Sequence, residues 1–344
     1  MMKSRGVWQL ACTYIGAVVG AGFASGQEIV YFFAIYGLPG LWGALLAGLG
    51  FAIFGGMVYQ ISRRYQVRVY HEFLQLILGK RLGKIADYWL MTYLFGSLVV
   101  MLAGCRAIFQ QHLEVPGTIG LGASLLIVYG ALSCREEGVI AINWLLVPVM
   151  IFGILLVTLG KGPLMGGETG FAYPVGESRF LGWALSSLLY VSYNLLGGLV
   201  VLVSINEASG RSSMGGPVLG GLGLGFLVFL ITVFLQGHLG IIEGVELPLL
   251  FLARQSGLFL GALYALVLWF AMLTSAAVAL LGLGTRFRHH SVLPENGLTM
   301  IILLLAAVFS ALGFSSLVRT VYPFFGYLGL MILAGVLNRV WQER

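Results

Sequence analysis

The stretch Gly16-Ala17-Val18-Val19-Gly20-Ala21-Gly22-Phe23-Ala24-Ser25-Gly26-Gln27-Glu28 lies in the middle of the first apolar run and makes a poor lipid-facing helix. Four glycines fall within eleven residues, and Ser25, Gln27 and Glu28 close the stretch. Glycine costs up to about 1 kcal/mol per residue in a helix interior. An ionised group at mid-membrane depth costs about 2.5–3.5 kcal/mol on insertion scales. Close packing of small residues accounts for the glycines but not for the Gln27–Glu28 pair. The stretch therefore reads as a broken helix, whose opened backbone is tolerated because it lines a cavity enclosed by protein.

Composition sets that reading in a membrane. The chain has 344 residues, 59% hydrophobic, with 32 charged side chains (19 Lys and Arg, 13 Asp and Glu) and a mean hydropathy of +0.97. A soluble domain of this length carries about 86 charged residues. The 50 glycines are about twice the usual share, as tightly packed or broken spans require. A net charge of +6 suits loops on the cytoplasmic side rather than nucleic acid. Cys12, Cys105 and Cys134 form no CxxC or Cys/His pattern, so neither a disulfide framework nor a metal site is indicated. Lys3 and Arg5 before an apolar run imitate a signal peptide, but the many later spans point to a retained first helix.

Apolar runs of about 20 residues predict ten spans: 8–34, 41–61, 88–109, 118–133, 140–160, 180–205, 217–238, 257–284, 297–315 and 321–340. With the N-terminus inside, the inner segments hold 14 Lys and Arg and the outer loops four (Lys161, Arg179, Arg254, Arg319). That asymmetry predicts a multi-pass protein of the inner (plasma) membrane with both termini in the cytoplasm. Residues 62–87 are basic and carry Tyr70, Phe73, Leu74, Ile77 and Leu78 at helical spacing, which predicts an interfacial helix. Residues 161–179 read as an outer loop, and 240–256 as a re-entrant or surface helix over the outer face.

The sixth span repeats the theme of the first: Ser186, Ser187, Tyr190, Ser192, Tyr193 and Asn194, then Gly197-Gly198, interrupt an apolar run. Five spans per half give the halves 8–160 and 180–340 opposite orientation within a single transmembrane domain. Broken helices at matching places in two inverted halves point to a transporter site at the midplane. In the eighth span the Ala271 carbonyl and the Thr274 and Ser275 hydroxyls share one helical face. With carbonyls from a broken first span they make a cage of neutral oxygens suited to a hard monovalent cation. The alternative is that Thr274 and Ser275 simply bond back to their own helix.

The order of these elements resembles the LeuT fold of the neurotransmitter:sodium symporters and the amino acid–polyamine–organocation superfamily. The helix 1 pattern Gly-x-x-Val-Gly-x-Gly is matched by Gly16, Val19, Gly20 and Gly22, and the helix 8 pattern Ala-x-x-Thr-Ser by Ala271, Thr274 and Ser275. The string GAGFASGQE is similar to the bacterial YkvI family of membrane proteins. The resemblance implies an all-α protein of ten helices in two inverted five-helix repeats, with helices 1 and 6 broken. It also implies a sodium ion held by the carbonyls of Gly16, Val19 and Ala271 and the hydroxyls of Thr274 and Ser275. Two departures stand out. Phe23 occupies the place of the Asn of the symporters' second sodium site, and their outer-gate Arg falls near Gly26, with Glu28 close by instead.

The expected function is sodium-coupled symport of a small organic solute, an amino acid or related compound, by alternating access. Candidate substrate contacts are Ala21, Gly22, Ser25 and Gln27 with Ser192, Tyr193 and Asn194. Glu28 is a candidate gate or coupling group, with Arg106 or Arg319 as its partner. The alternatives are proton coupling through Glu28, or a solute sensor of the same fold that moves nothing. No nucleophile–base pair, metal cluster or phosphate loop suggests an enzyme or an organic cofactor. The expected partners are a small solute and the lipid bilayer, without nucleic acid, and the oligomeric state is open.

Overall fold

In the computed structural model, residues 2–67, 69–131, 136–160, 182–204, 214–287 and 295–342 are described. They are helical almost throughout. The first segment is α1 (Met2–Val18), α2 (Ala21–Ser25) and α3 (Gln27–Phe32), with a single 3-10 turn at Ala34–Tyr36. Then come α4 (Leu38–Arg64), α5 (Tyr70–Gln111), α6 (Gly117–Ala131), α7 (Glu136–Gly160), α8 (Gly182–Ser204) and α9 (Gly215–Gln236). Two short helices, α10 (Leu239–Ile242) and α11 (Pro248–Ser256), lead to α12 (Leu258–Phe287), α13 (Glu295–Phe309) and α14 (Phe314–Gln342).

Helices lie over each of the ten expected segments. Among the described residues, six helices are long and apolar enough to cross a membrane: Leu38–Arg64, Tyr70–Gln111, Gly182–Val203, Gly215–Gln236, Leu258–Gly284 and Phe314–Gln342. Three shorter apolar helices are Gly117–Gly130, Val147–Gly160 and Gly297–Leu312. Large apolar side chains face outward along them, among them Leu126 at 77% and Phe259 at 83% exposed. A surface of that kind belongs in lipid.

Glycine sets the spacing of the helices. Gly48 and Ala52 of α4 meet Gly221 and Gly225 of α9, so that a Cβ on Gly48 would stand 2.7 Å from the Gly225 Cα. This is small-residue packing at i and i+4 on both partners, which lets backbones approach and gain dispersion where lipid offers no hydrophobic drive. Gly326 and Gly329 of α14 likewise abut the backbone of Leu189 and Ser192 of α8.

Several expectations change. The basic connection does form a helix from Tyr70 up to a kink at Gly79 (φ 77°), but Phe73, Leu74 and Ile77 are buried, and Ile77 and Leu78 pack on Gly335 of α14. Its apolar face thus covers protein. The expected loop before the last span is absent: the chain turns at Gly313 (φ 85°) and α14 starts at Phe314. The stretch 161–179 lies outside the described residues.

The largest correction concerns the sixth span. No break interrupts α8, which runs from Gly182 to Ser204. Its serines and its asparagine are satisfied without opening the helix. Ser187 Oγ donates to the Trp183 carbonyl (2.7 Å), and Asn194 Nδ2 to that of Tyr190 (3.0 Å). Ser186 Oγ donates to the Phe32 carbonyl of α3 (2.8 Å), and Ser192 Oγ to that of Gly326 (2.6 Å). Gly198 gives room to the Tyr14 ring.

Candidate functional site

The first segment breaks where its glycines fall. The Val19 amide still reaches the Ile15 carbonyl (2.7 Å), but the Gly20 amide turns back to Val18 (2.8 Å) and Gly20 is extended (φ −94°, ψ −176°). That diversion frees the Gly16 carbonyl, which a continuous helix would have bonded to Gly20. A Cβ on Gly20 would meet nothing within 4 Å, so open space lies beside the break. A second interruption follows at Gly26, in the left-handed region (φ 81°), where a Cβ would crowd Leu249 of α11. Between the two, Ser25 Oγ donates to the Gly22 carbonyl (2.6 Å) and accepts the Gln27 amide (3.2 Å).

Glu28 lies in the first turn of α3 and is 4% exposed. Its carboxylate folds back over the Gly26 turn. The Tyr193 hydroxyl donates to Oε2, and Oε1 lies against the Cα of Gly22, where a Cβ would overlap it. Gly22 is needed there because only a bare Cα leaves space for the carboxylate. Tyr193 stacks on Tyr322 (centroids 4.9 Å, 14°) and on Phe32 (5.6 Å, 25°), and meets Tyr190 edge-on (5.5 Å). Tyr93 of α5 is within electrostatic reach of the same carboxylate.

Neither expected arginine partners Glu28. Arg106 is half-buried with its stem on Gly117 and in the field of Glu246, and Arg319 is exposed in the field of Tyr31. Glu246, in the connection before α11, has its carboxyl pushed up by burial, against the opposing pull of the Phe314 amide and Arg106. Arg254 of α11 pairs through Nη2 with Glu114 Oε1 at 2.9 Å, linking α11 to the connection after α5.

The sequence-predicted contacts divide. Ala21, Gly22, Ser25 and Gln27 are buried at the break, and Gln27 Oε1 has no hydrogen-bond partner. Tyr193 joins them through Glu28, whereas Ser192 and Asn194 spend their polar atoms on helix packing. Tyr93, Tyr190 and Tyr322 were not anticipated. Tyr93 and Tyr322 have no motif around them, and Tyr190 lies in the polar run of the sixth span without being assigned a role there, so only the tertiary fold brings the three together.

On α12, the Tyr264 hydroxyl donates to the Ala24 carbonyl (2.6 Å) and ties this helix to α2. Ala271 and Thr274 are buried and Ser275 half-buried. Thr274 Oγ1 donates to the Ala271 carbonyl (3.1 Å), the back-bond usual for a membrane threonine. Its lone pairs remain able to face a cation. Gly16 packs beside Val147 of α7.

No protein-family model matches the chain. It is 30% identical over 350 residues to the uncharacterised membrane protein YkvI of Bacillus subtilis, covering 100% of this chain and 99% of that one. It is 28% identical over 327 residues to the protein YyaD of the same organism, covering 94% of each. Among solved structures, a mutant manganese transporter of Eremococcus coleocola superposes with a TM-score of 0.63 at 15% identity, over 96% of this chain and 78% of that one. A Na+-coupled sialic acid symporter gives 0.59 at 13%, over 97% and 80%. Inward-facing Mhp1 gives 0.61 at 13%, over 94% and 73%. At such identities the likeness establishes the LeuT-like fold.

Proposed function

The chain belongs to the YkvI family of membrane proteins, and we propose that it is a secondary active transporter moving a small organic solute by alternating access. The observation that carries this reading is the doubly interrupted first segment, with a buried carboxylate bonded across to α8 beside open space at Gly20. Solved proteins of this fold include a Na+-coupled symporter and a manganese transporter. The solute sits against Ala21, Gly22 and Gln27 on one side and Tyr193 on the other. The halves 8–160 and 180–340 act as inverted repeats in the plasma membrane, with both termini in the cytoplasm.

Sodium is the coupling ion in the first reading, held by the carbonyls of Gly16, Val19 and Ala271 and the hydroxyls of Thr274 and Ser275. Two observations support it. The Gly16 carbonyl lacks its helical partner, and Tyr264 fixes the register of α12 on α2. Ala271 and Ser275 follow Tyr264 by seven and eleven residues, which returns them to within about 20° of its face and about 10 and 16 Å along the helix. In the inverted topology that direction leads from Ala24 toward Val19 and Gly16. A second reading, proton coupling, draws on Glu28, which has a phenol and no cation for a partner.

Uptake into proteoliposomes tests both readings. Uptake driven by a sodium gradient and abolished in the Thr274→Ala/Ser275→Ala double variant is the expected result. Uptake indifferent to sodium and to that variant, yet driven by a pH gradient and lost in Glu28→Gln, shifts the coupling to protons. Solute binding without any flux contradicts transport and identifies a sensor.

A further inference from the structure

Glu28 is a buried carboxylate that meets no counter-charge among the described residues. The groups that face it are phenols: Tyr93 from α5, Tyr190 and Tyr193 from α8 and Tyr322 from α14. Two further elements packed on α3, α2 and α9, bring no titratable side chain. Tyr36, on the turn after α3, and Arg319 on α14 lie in the field of Tyr31. An ionised carboxylate left alone at this depth carries the full desolvation penalty of a buried charge. It is relieved by a proton or by a cation, and among the described residues none supplies a cation to it.

The surroundings select the cation. The Tyr190 hydroxyl is buried without a hydrogen-bond partner, and so is the Oε1 of the adjacent Gln27. Carboxylate and amide oxygens accept only, and an ammonium group donates three hydrogen bonds and accepts none. Both faces of the Tyr193 ring are covered, by Phe32 and by Tyr322, so an ammonium group at the carboxylate is held through its hydrogen bonds to oxygen rather than by that ring's face. A divalent metal would want several hard anionic ligands, and among the described residues no group of three His, Cys, Asp or Glu stands together.

We propose that Glu28 holds either a proton or the ammonium group of the transported solute, never both, so that binding an amine expels a proton from the site. The step is an ion exchange. The Glu28 carboxyl O–H loses its proton to solvent, and an N–H of the ammonium then donates to the carboxylate. The inference rests on the transporter reading for its word "transported", but the binding event stands by itself.

The experiment uses purified full-length protein in detergent and two matched pairs of probes: tyramine with its neutral counterpart 4-(2-hydroxyethyl)phenol, and 1,4-diaminobutane with 1,4-butanediol. Binding is read by thermal shift, and proton release in weak buffer by a pH indicator. An amine that binds at near-neutral pH with release of about one proton, while its neutral counterpart binds at least about thirtyfold more weakly, is the expected result. Glu28→Gln, similar in shape, should lose both signals, and Glu28→Asp should regain part of them. Equal binding of amines and alcohols, amine binding without proton release, unchanged binding in Glu28→Gln, or no response to either amine each overturns the proposal. Flux separates the two layers. Uptake of a neutral solute with no amine binding leaves the transporter reading standing and this inference refuted. Amine binding with proton release but no flux does the reverse.

Discussion

The first segment and α8 carry the same kind of sequence, glycines and small polar residues inside an apolar run, and only the first segment breaks. In α8 each serine and the asparagine reach a carbonyl on their own helix or on a neighbour, so the backbone ladder stays intact. Its glycines serve approach: Gly198 admits Tyr14, and Gly197 stands near the Ala17 carbonyl. In the first segment the glycines serve conformation. Gly20 is extended beside open space, Gly26 holds a left-handed turn, and Gly22 yields its side-chain volume to the Glu28 carboxylate. A glycine-and-serine run in a membrane helix therefore does not by itself signal a break: Ser25 also bonds a carbonyl of its own segment, and the difference lies in the conformations that Gly20 and Gly26 adopt.

Alanine scanning can break this contrast, and the largest effect belongs to Gly22→Ala. The methyl displaces the Glu28 carboxylate, and overpacking of that kind destabilises by about 1–3 kcal/mol. Thermal unfolding in detergent should show the loss, with solute uptake at background. Gly26→Ala comes next, at about 1–2 kcal/mol for the left-handed backbone, with crowding against Leu249 in addition. Gly20→Ala should change stability by no more than about 0.5 kcal/mol, since nothing stands near the new methyl. Uptake should nonetheless fall at least about tenfold, because the methyl fills the space assigned to the solute. Unaltered uptake in that variant would mean the space at Gly20 is not a binding space. The smallest effect is expected at Gly197→Ala in α8. Its nearest neighbours would be the Ala17 carbonyl at 3.6 Å and the Tyr93 hydroxyl at 3.7 Å, both ordinary contacts. The variant should be neutral or more stable by about 0.4–1 kcal/mol with uptake retained. Lost uptake would show that α8 also opens.

Hydrophobic runs and the glycine motif made the fold and the broken first segment legible, because each is a local property of the chain in lipid. The break expected in the sixth span was misread. Whether Ser192 and Asn194 bond to the helix or to a ligand depends on the carbonyls of Tyr190 and Gly326, and the latter is 134 residues away from Ser192. Glu28 stood out in the sequence because an intramembrane carboxylate demands an explanation, and the fold buries it. Its partner did not stand out. The search among arginines followed charge alone, whereas the fold meets the carboxylate with a phenol from α8 and with the bare Cα of Gly22.

The account places all of the backbone opening in the first segment and none in α8. Hydrogen–deuterium exchange on the protein in nanodiscs, with and without sodium, tests that most directly. Amides of residues 19–27 should exchange faster than those of residues 188–198 in the absence of sodium, and sodium should slow the first set while leaving the second unchanged. Equal exchange in the two stretches, or a sodium response confined to residues 188–198, would contradict it.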